Sequence, residues 1–563
     1  MFLQIHIGLA QMQITTENVH QKVLSVGIVG GGMAGLYAAL LLQKEGHRVH
    51  IFEASNRLGG RVYTHHFSTE PNQYFEAGAM RLPESGFQKI VFDLIKYLNE
   101  NVDLPKERRI DLIPYVLNSE GNQLFINGVR TGGFQVMNTT PASIKWNVPP
   151  EYENKTPKEL LYSVLNPFLE RLEEDFDEGF KYLLQWDTYS FRFYLSSQVG
   201  WPDSVIDFVE TVTSQTNQFA LSVTELVMQN MDFSTANWYT IKDGMDRLPQ
   251  AMAYVVGLQN ITFGARITGI QIENTTSRVV LVKEGGQLSS AFDNVILAIP
   301  PAALKMISDR PRWDVEKEMA IRSMHFEPLY KIGMRFKTRF WETVCLGGQS
   351  TTDLPIRWIV YPSNGIGDKG SGVLLLYAWM TDAYTWLSLP PLDRRNLAIQ
   401  CLQAFYPDVD VHNELIESFD VIWSTGSATG DAMFLPGQFT QRFEAARKAE
   451  GNIFFAGEHL SQHHTWIAGA LLSSLYAVQQ LVGNSALASL TSAYSLKSSS
   501  LKYLPPTPVV PGKVEFVDSQ QMEKMPAEID SLLLKNGVET ALQVRMLVRG
   551  EYQGILSLEG QGA

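Results

Sequence analysis

Residues Val23–Arg61 read VLSVGIVGGGMAGLYAALLLQKEGHRVHIFEASNRLGGR, and the order of elements in that stretch decides the fold. Val23–Val29 is a short apolar, β-branched run. Leu36–Gln43 carries helix formers, Gly46 stops the helix, and Arg48–Phe52 reads as a second strand. Strand, turn, helix and strand within about thirty residues is the βαβ unit of a mononucleotide fold. Gly30, Gly32 and Gly35 satisfy GxGxxG, with Met33 and Ala34 inside the loop. Glycine is needed there because a tight turn, close approach to a pyrophosphate and close helix–strand packing each exclude a Cβ. The helix N-terminus then offers free amides and partial positive charge to the anion. Glu53 ends the second strand, where a carboxylate can accept both ribose hydroxyls and would repel a 2′-phosphate. Arg57-Leu58-Gly59-Gly60-Arg61 follows at once. Paired glycines let the backbone pass close to the cofactor while a guanidinium reaches phosphate.

Outward from this stretch, the 563 residues exceed what one hydrophobic core supports, so two or three domains are expected. Apolar residues make up 45% and charged residues 19%, the balance of a globular enzyme. The net charge of −13 carries no run of Lys and Arg, which argues against nucleic acid or an anionic membrane surface as partner. Cys345 and Cys401 are the two cysteines, and no CxxC pair exists. A structural zinc site and a disulfide framework are therefore excluded, and the pair is read as free core thiols rather than a single bridge. Met1–Gln11 is mildly apolar without a basic start, a weak signal-peptide candidate. No stretch approaches the apolar length of a membrane helix. Ile467–Val482 is apolar but contains Ser473, Ser474, Gln479 and Gln480, and reads as a buried helix. A soluble, cytoplasmic protein is expected, with export left open.

From Thr156 to Val227 apolar residues recur at helical spacing through Leu160, Leu161, Val164, Leu165, Phe168 and Leu172, and the acidic run Glu170–Glu178 reads as a solvated face. Strand-like alternation spans Ile261–Val282 and returns at Val295–Ile299. Lys331–Phe336, Arg357–Tyr361 and Gly372–Met380 also read as strands, the last apolar enough to be buried on both faces. Beyond Gly483 a Ser-, Leu- and Pro-rich linker leads to a tail with an amphipathic helix candidate near Ile529–Leu547.

The glycine loop, Glu53 and RLGGR together resemble the flavin amine oxidase family, which includes monoamine and polyamine oxidases, L-amino-acid oxidases and amino-acid 2-monooxygenases. The resemblance runs in patches from about Val23 to Val482. It implies a Rossmann-like FAD-binding domain, a mixed-sheet substrate domain and a helical insert, an α/β and α+β multidomain chain. Its expected parts are 23–72, 240–325 and 449–484 for FAD, 73–131 and 326–448 for substrate, 132–239 for the helical part, and 485–563 for linker and tail. Phe455-Ala456-Gly457-Glu458-His459 matches the family's second glutamate landmark, which binds the ribityl or pyrophosphate region. The helix that follows would aim its positive end at the flavin ring. Ala54, Gly78, Ala79, Met80, Ile267 and Ile467 are implied as further cofactor contacts. Trp423 is either a flavin contact or core packing.

Within the family, Glu76-Ala77-Gly78-Ala79-Met80-Arg81-Leu82-Pro83 looks like the L-amino-acid oxidase pattern, whose arginine holds the substrate carboxylate bidentately. By the same resemblance Tyr377 donates to that carboxylate. Gly347–Pro355, with STTDLP, is a family marker without a physical reading. Lys331, nine residues before Phe340-Trp341, matches the lysine that holds a water beside flavin N5 and would assist O2 reduction. Thr465 would accept from the substrate amine through its carbonyl, and Trp466 would wall the pocket. Ser424–Phe434 contains no cysteine where monoamine oxidases attach flavin, so FAD is expected to be non-covalent. Asp431 and Met433 depart from the usual pattern there. His463 and His464 are read as entrance residues or as residues without a role.

The function implied is oxidative deamination of L-amino acids by O2, giving a 2-oxo acid, ammonia and hydrogen peroxide. A 2-monooxygenase forming an amide, or an amine or polyamine oxidase, are the alternatives. The family is often dimeric, so a homodimer or higher homo-oligomer is expected. The apolar or polar character of the preferred side chain is not readable, because the aromatics Trp186, Tyr189, Phe191, Phe193 and Tyr194 suit a core as well as a pocket.

Overall fold

The computed structural model describes residues 22–483 apart from 133–135, 214–215, 234, 236 and 425–428. The leader candidate at Met1–Gln11 and the helix candidate in the tail lie outside those residues.

Five parallel strands form the first sheet, in the order Ile261–Thr262, Arg48–Phe52, Ser25–Val29, Asn294–Leu297 and Ile453–Phe455. Val29 pairs with both Phe52 and Leu297, and Leu297 pairs with Phe455. Gly30, Glu53, Ala298 and Ala456 therefore leave the sheet at one carboxyl-terminal edge, where open α/β sheets bind their ligands. The loop glycines meet the steric demand read from sequence. A Cβ on Gly35 would lie 2.0 Å from the carbonyl oxygen of Gly30, and Gly30 itself has φ +106. The helix Met33–Lys44 is buried over most of its surface and packs against both Arg247–Val256 and Ile467–Val482. Burial explains why Ile467–Val482 is so apolar without crossing a membrane. No helix among the described residues is long and apolar enough for that. Its serines bond inward: Ser474 donates to the carbonyl of Ala34 at 2.9 Å, and Ser473 accepts from the amide of Gly457 at 2.9 Å.

The second sheet has seven strands in mixed orientation, ordered Leu415–Ile422, Leu329–Phe336, Gly372–Trp379, Trp358–Val360, Gln349–Thr352, Leu124–Ile126 and Val129–Thr131. Gly372–Trp379 is covered on both faces, as its apolar run requires. Leu374, Leu376 and Ala378 pack on Trp341 and Trp386, while Val373 and Leu375 share a smaller core with Phe75. Gly333 sits where that face meets Phe75, whose ring would lie 2.1 Å from an added Cβ. Cys345 and Cys401 are free thiols buried in the core around Trp341 and Trp386.

The described residues between Pro157 and Asp232 are mostly helical, in Pro157–Glu174, Phe176–Leu183, Asp203–Thr213 and Val223–Asp232. Thr156 and Glu159 form a reciprocal capping box at the start of the first. The acidic run is solvated, but it is not one helix: Asp175 ends the first helix and caps the next by accepting from the amide of Glu178. The alternation at Ile261–Val282 also divides. Ile261–Thr262 joins the parallel sheet, whereas Ile267–Ile272 and Val279–Lys283 make a separate hairpin across a turn in which Ser277 has φ +56.

Candidate active site

A cavity of about 980 Å³ opens between the two sheets and the helical part. Its size is at the upper end for a cofactor or small-molecule site. Gly30, Gly32, Met33, Ala34, Glu53, Ala54, Arg57, Gly60 and Arg61 line it. Gly78 to Arg81, Lys331, Tyr377, Trp423, Gly457, Glu458, Thr465, Trp466 and Ile467 line it as well. Ile267 also reaches it. Every residue singled out from sequence for cofactor or substrate thus faces this space, except Gly35, which serves by packing on Gly30.

Two helices direct their N-termini at the cavity, one beginning after Gly32 and one after Trp466, and neither first turn is capped by a side chain. Free amides at two positive helix ends suit an anion at each. The lining at Gly32 is open, with Gly60 Cα 3.8 Å from the nearest Cβ position. These features fit a dinucleotide whose pyrophosphate lies on the first helix.

The charged groups near the loop are more committed than the sequence suggests. Glu53 accepts from the amide of Gly31 at 2.7 Å through one oxygen and from the amide and hydroxyl of Ser55 through the other. Arg57 donates to the carbonyl of Gly60 at 2.7 Å and lies over the Tyr63 ring. Arg61 donates to Glu458 at 2.7 Å and to the carbonyl of Gly430 at 2.9 Å. One nitrogen of the Arg61 guanidinium thus holds the second glutamate, while Arg61 still lines the cavity. Glu458 also accepts from the amides of Ala432 and Thr465. Burial raises its proton affinity, but Arg61 and His464 outweigh that and hold it below the usual carboxylate range.

Thr465 has φ +71. A β-branched residue there is strained, and such strain collects where the backbone must present a group. The Glu458 carboxylate holding the Thr465 amide is what fixes it. Trp466 follows, with its indole N–H buried and without a partner among the described residues. Trp423 is buried and lines the cavity, and its N–H is bonded to the Ala77 carbonyl at 2.6 Å.

Lys331 and Tyr377 are direct cross-strand partners. Lys331 is 4% exposed and donates to the carbonyl of Gly78 at 2.6 Å, with Nζ 4.8 Å from the centre of the Tyr377 ring. Burial lowers its pKa to about 8, against the pull of Asp431 and Glu76. Burial pushes the Tyr377 phenol upward, so it remains a proton donor at neutral pH.

Arg81 is half-buried and forms no ion pair among the described residues. Its guanidinium carbon lies 5.1 Å from the Phe233 ring centre, 5.5 Å from Trp238 and 6.0 Å from Tyr115, and one nitrogen reaches Gln349 at 3.5 Å. Trp466 packs on Phe233 and Trp238, so the aromatic shelf under Arg81 continues to Trp466. Sequence reasoning missed this shelf, because Phe233 and Trp238 are ordinary core-type residues until the fold sets them beside Arg81. His463 and His464 are buried and not at an entrance. His463 stacks on Phe87 at 4.1 Å, and His464 bonds Glu225 at 2.7 Å. No group of His, Cys, Asp or Glu among the described residues could hold a metal ion.

A sequence model of the flavin containing amine oxidoreductase family matches residues 33–482. A Dictyostelium discoideum protein provisionally named a bifunctional amine oxidase is 33% identical over 502 residues, covering 82% of this chain and 46% of that one. A Bacillus subtilis (strain 168) protein provisionally named the L-amino-acid oxidase YobN is 31% identical, covering 81% and 94%. An L-amino-acid oxidase of Vipera ammodytes ammodytes is 29% identical, covering 81% and 92%. Among solved structures, a putrescine oxidase bound to putrescine superposes with TM-score 0.62 at 17% identity, over 82% of this chain and all of that one, and shares the fold. The chain belongs to the flavin containing amine oxidoreductase family, and its cofactor is FAD.

Proposed function

Within that family, we propose that this chain is an L-amino-acid oxidase holding FAD without a covalent link. The observation that carries this reading is Arg81. Arginine is always protonated. Taking such a charge out of water costs several kcal/mol, while the aromatic contacts return about 0.5–2 kcal/mol. A half-buried guanidinium without an acidic partner among the described residues therefore calls for an anion from outside, and a carboxylate matches its planar fork. The L-amino-acid oxidase names of relatives near 30% identity support the same reading. Both cysteines lie in a core away from the cavity, which supports a non-covalent flavin.

Arg81 binds the substrate carboxylate, and the Tyr377 phenol donates to it. This two-point hold orients Cα–H, and positioning of that kind lowers barriers by up to roughly 7–11 kcal/mol in the best intramolecular cases. The strained Thr465 carbonyl accepts from the substrate amine, and Trp466 keeps water from that side. Lys331 places positive charge and an ordered water near the reacting atoms. Bound FAD supplies the two-electron acceptor and, through O2, the source of peroxide. The imino acid released hydrolyses to a 2-oxo acid and ammonia.

The test is product analysis of the purified holoprotein across the twenty L-amino acids. Peroxide, ammonia and 2-oxo acid in equal amounts support an oxidase. Amide with CO2 would mean a 2-monooxygenase on the same clamp. Oxidation of amines without any amino-acid turnover would remove the role given to Arg81.

A further inference from the structure

We propose that Asp431 is the acceptor of the substrate ammonium's proton, a catalytic residue separate from the Arg81 clamp. An amine is oxidised through its nitrogen lone pair, and an ammonium has none. At neutral pH an amino acid arrives protonated, so one proton must leave before C–H cleavage. Of the groups assigned so far, Arg81 and Lys331 are cations at neutral pH, Tyr377 is held protonated, and the Glu53 and Glu458 carboxylates are already engaged by amides, the Ser55 hydroxyl and Arg61.

Asp431 is a carboxylate within the cavity itself. It is half-buried where it lines that cavity. Its backbone is fixed, since its carbonyl accepts from the amide of Glu327 and the amide of Ala432 bonds Glu458. Its side chain, in contrast, makes no hydrogen bond or ion pair with a described residue. Asp431, Lys331 and Tyr377 line the same cavity, and the Asp431 charge acts on both of the others. The charged and titratable groups facing it are Glu458, Arg61, Lys331 and His464, with Glu327 and Tyr377 beyond. Burial first, and Glu458 next, push its pKa up to about 7, the range in which a group both accepts and returns a proton under working conditions.

The step is a single proton transfer. One N–H bond of the ammonium breaks, an O–H bond forms on Asp431, and the electron pair stays on nitrogen. Ammonium and carboxylate become neutral amine and carboxylic acid, and the net charge of the cavity is unchanged. The proton later returns to water.

The inference rests on the amino-acid reading for its probes alone, because any amine substrate needs the same deprotonation. The experiment is anaerobic flavin reduction by L-leucine and by L-lysine in holoprotein, followed from about pH 5 to pH 10, for wild type, Asp431→Asn and Asp431→Glu. Wild type gains rate as pH rises through about 7. Asp431→Asn, with its flavin spectrum intact, loses that inflection, is roughly 10²-fold slower at neutral pH and recovers toward alkaline pH, where substrate sheds its own proton. Asp431→Glu restores an inflection. An unchanged pH profile in Asp431→Asn overturns the proposal. So does a loss confined to L-lysine, which would make Asp431 a selector of cationic side chains. If neither amino acid reduces wild type but an amine does, the substrate reading fails, and the same series run with that amine decides the role of Asp431.

Discussion

Arg61 and Glu458, 397 positions apart in sequence, lie 2.7 Å apart in the fold and join the turn after the second strand to the turn after the last one. The Glu458 carboxylate also reaches the amides of Ala432 and Thr465, so one side chain sets the relative position of three cavity walls. Breaking a buried pair by removing one partner costs about 3–5 kcal/mol. Glu458→Ala should therefore lower the melting temperature and leave protein poor in flavin, while Glu458→Gln loses less. Because the folded-state pKa is depressed, the stabilisation is present above the usual carboxylate range and is lost as pH falls through the folded-state value. Flavin content against pH, read after gel filtration, checks both statements.

Lys331 should act on oxygen rather than on substrate. With its pKa lowered to about 8, it is charged below that pH and neutral above it. Reoxidation of reduced enzyme by O2 should slow as pH rises past about 8. Lys331→Met should slow it roughly 10²-fold below about pH 8, the scale of losing one preorganised electrostatic contact, and should abolish the slowing at higher pH. Stopped-flow mixing with O2 measures this, and anaerobic reduction should change far less.

Thr465 gives a test of strain against side-chain chemistry. Its φ of +71 suits glycine, and relief of a strained residue is worth about 1–3 kcal/mol, against about 1 kcal/mol of added unfolded-state freedom. Thr465→Gly should melt at or above the wild-type temperature and keep most turnover, because its role lies in the carbonyl. A large loss of turnover with an unchanged melting temperature would assign the role to the hydroxyl instead.

Much of the fold can be read from local signals. The run Val23–Arg61 announces itself because each glycine answers a steric demand, as Gly35 does against Gly30. Lys331 and Tyr377 were reached by resemblance, and only the strand register shows that they are neighbours. The bond from Arg61 to Glu458 was not legible, because the two residues are too distant in sequence to be seen as partners. The aromatic shelf under Arg81 and the free carboxylate of Asp431 depend on long-range packing, which leaves no periodic trace in the chain. The uneven run at Ile261–Val282 misled for a related reason: alternation marks strands but not the sheet each one joins.

The central claim is that Arg81 makes the reaction depend on a carboxylate. The most direct measurement is the anaerobic rate of flavin reduction by an L-amino acid and by its decarboxylated amine, in wild type and in Arg81→Ala. Truncating one partner of a hydrogen-bonded charge pair costs about 2–5 kcal/mol, so wild type should favour the amino acid by roughly 10²-fold or more. Arg81→Ala should keep its yellow colour and lose that preference. Equal rates for the two compounds in wild type, or an undiminished preference in Arg81→Ala, would contradict it.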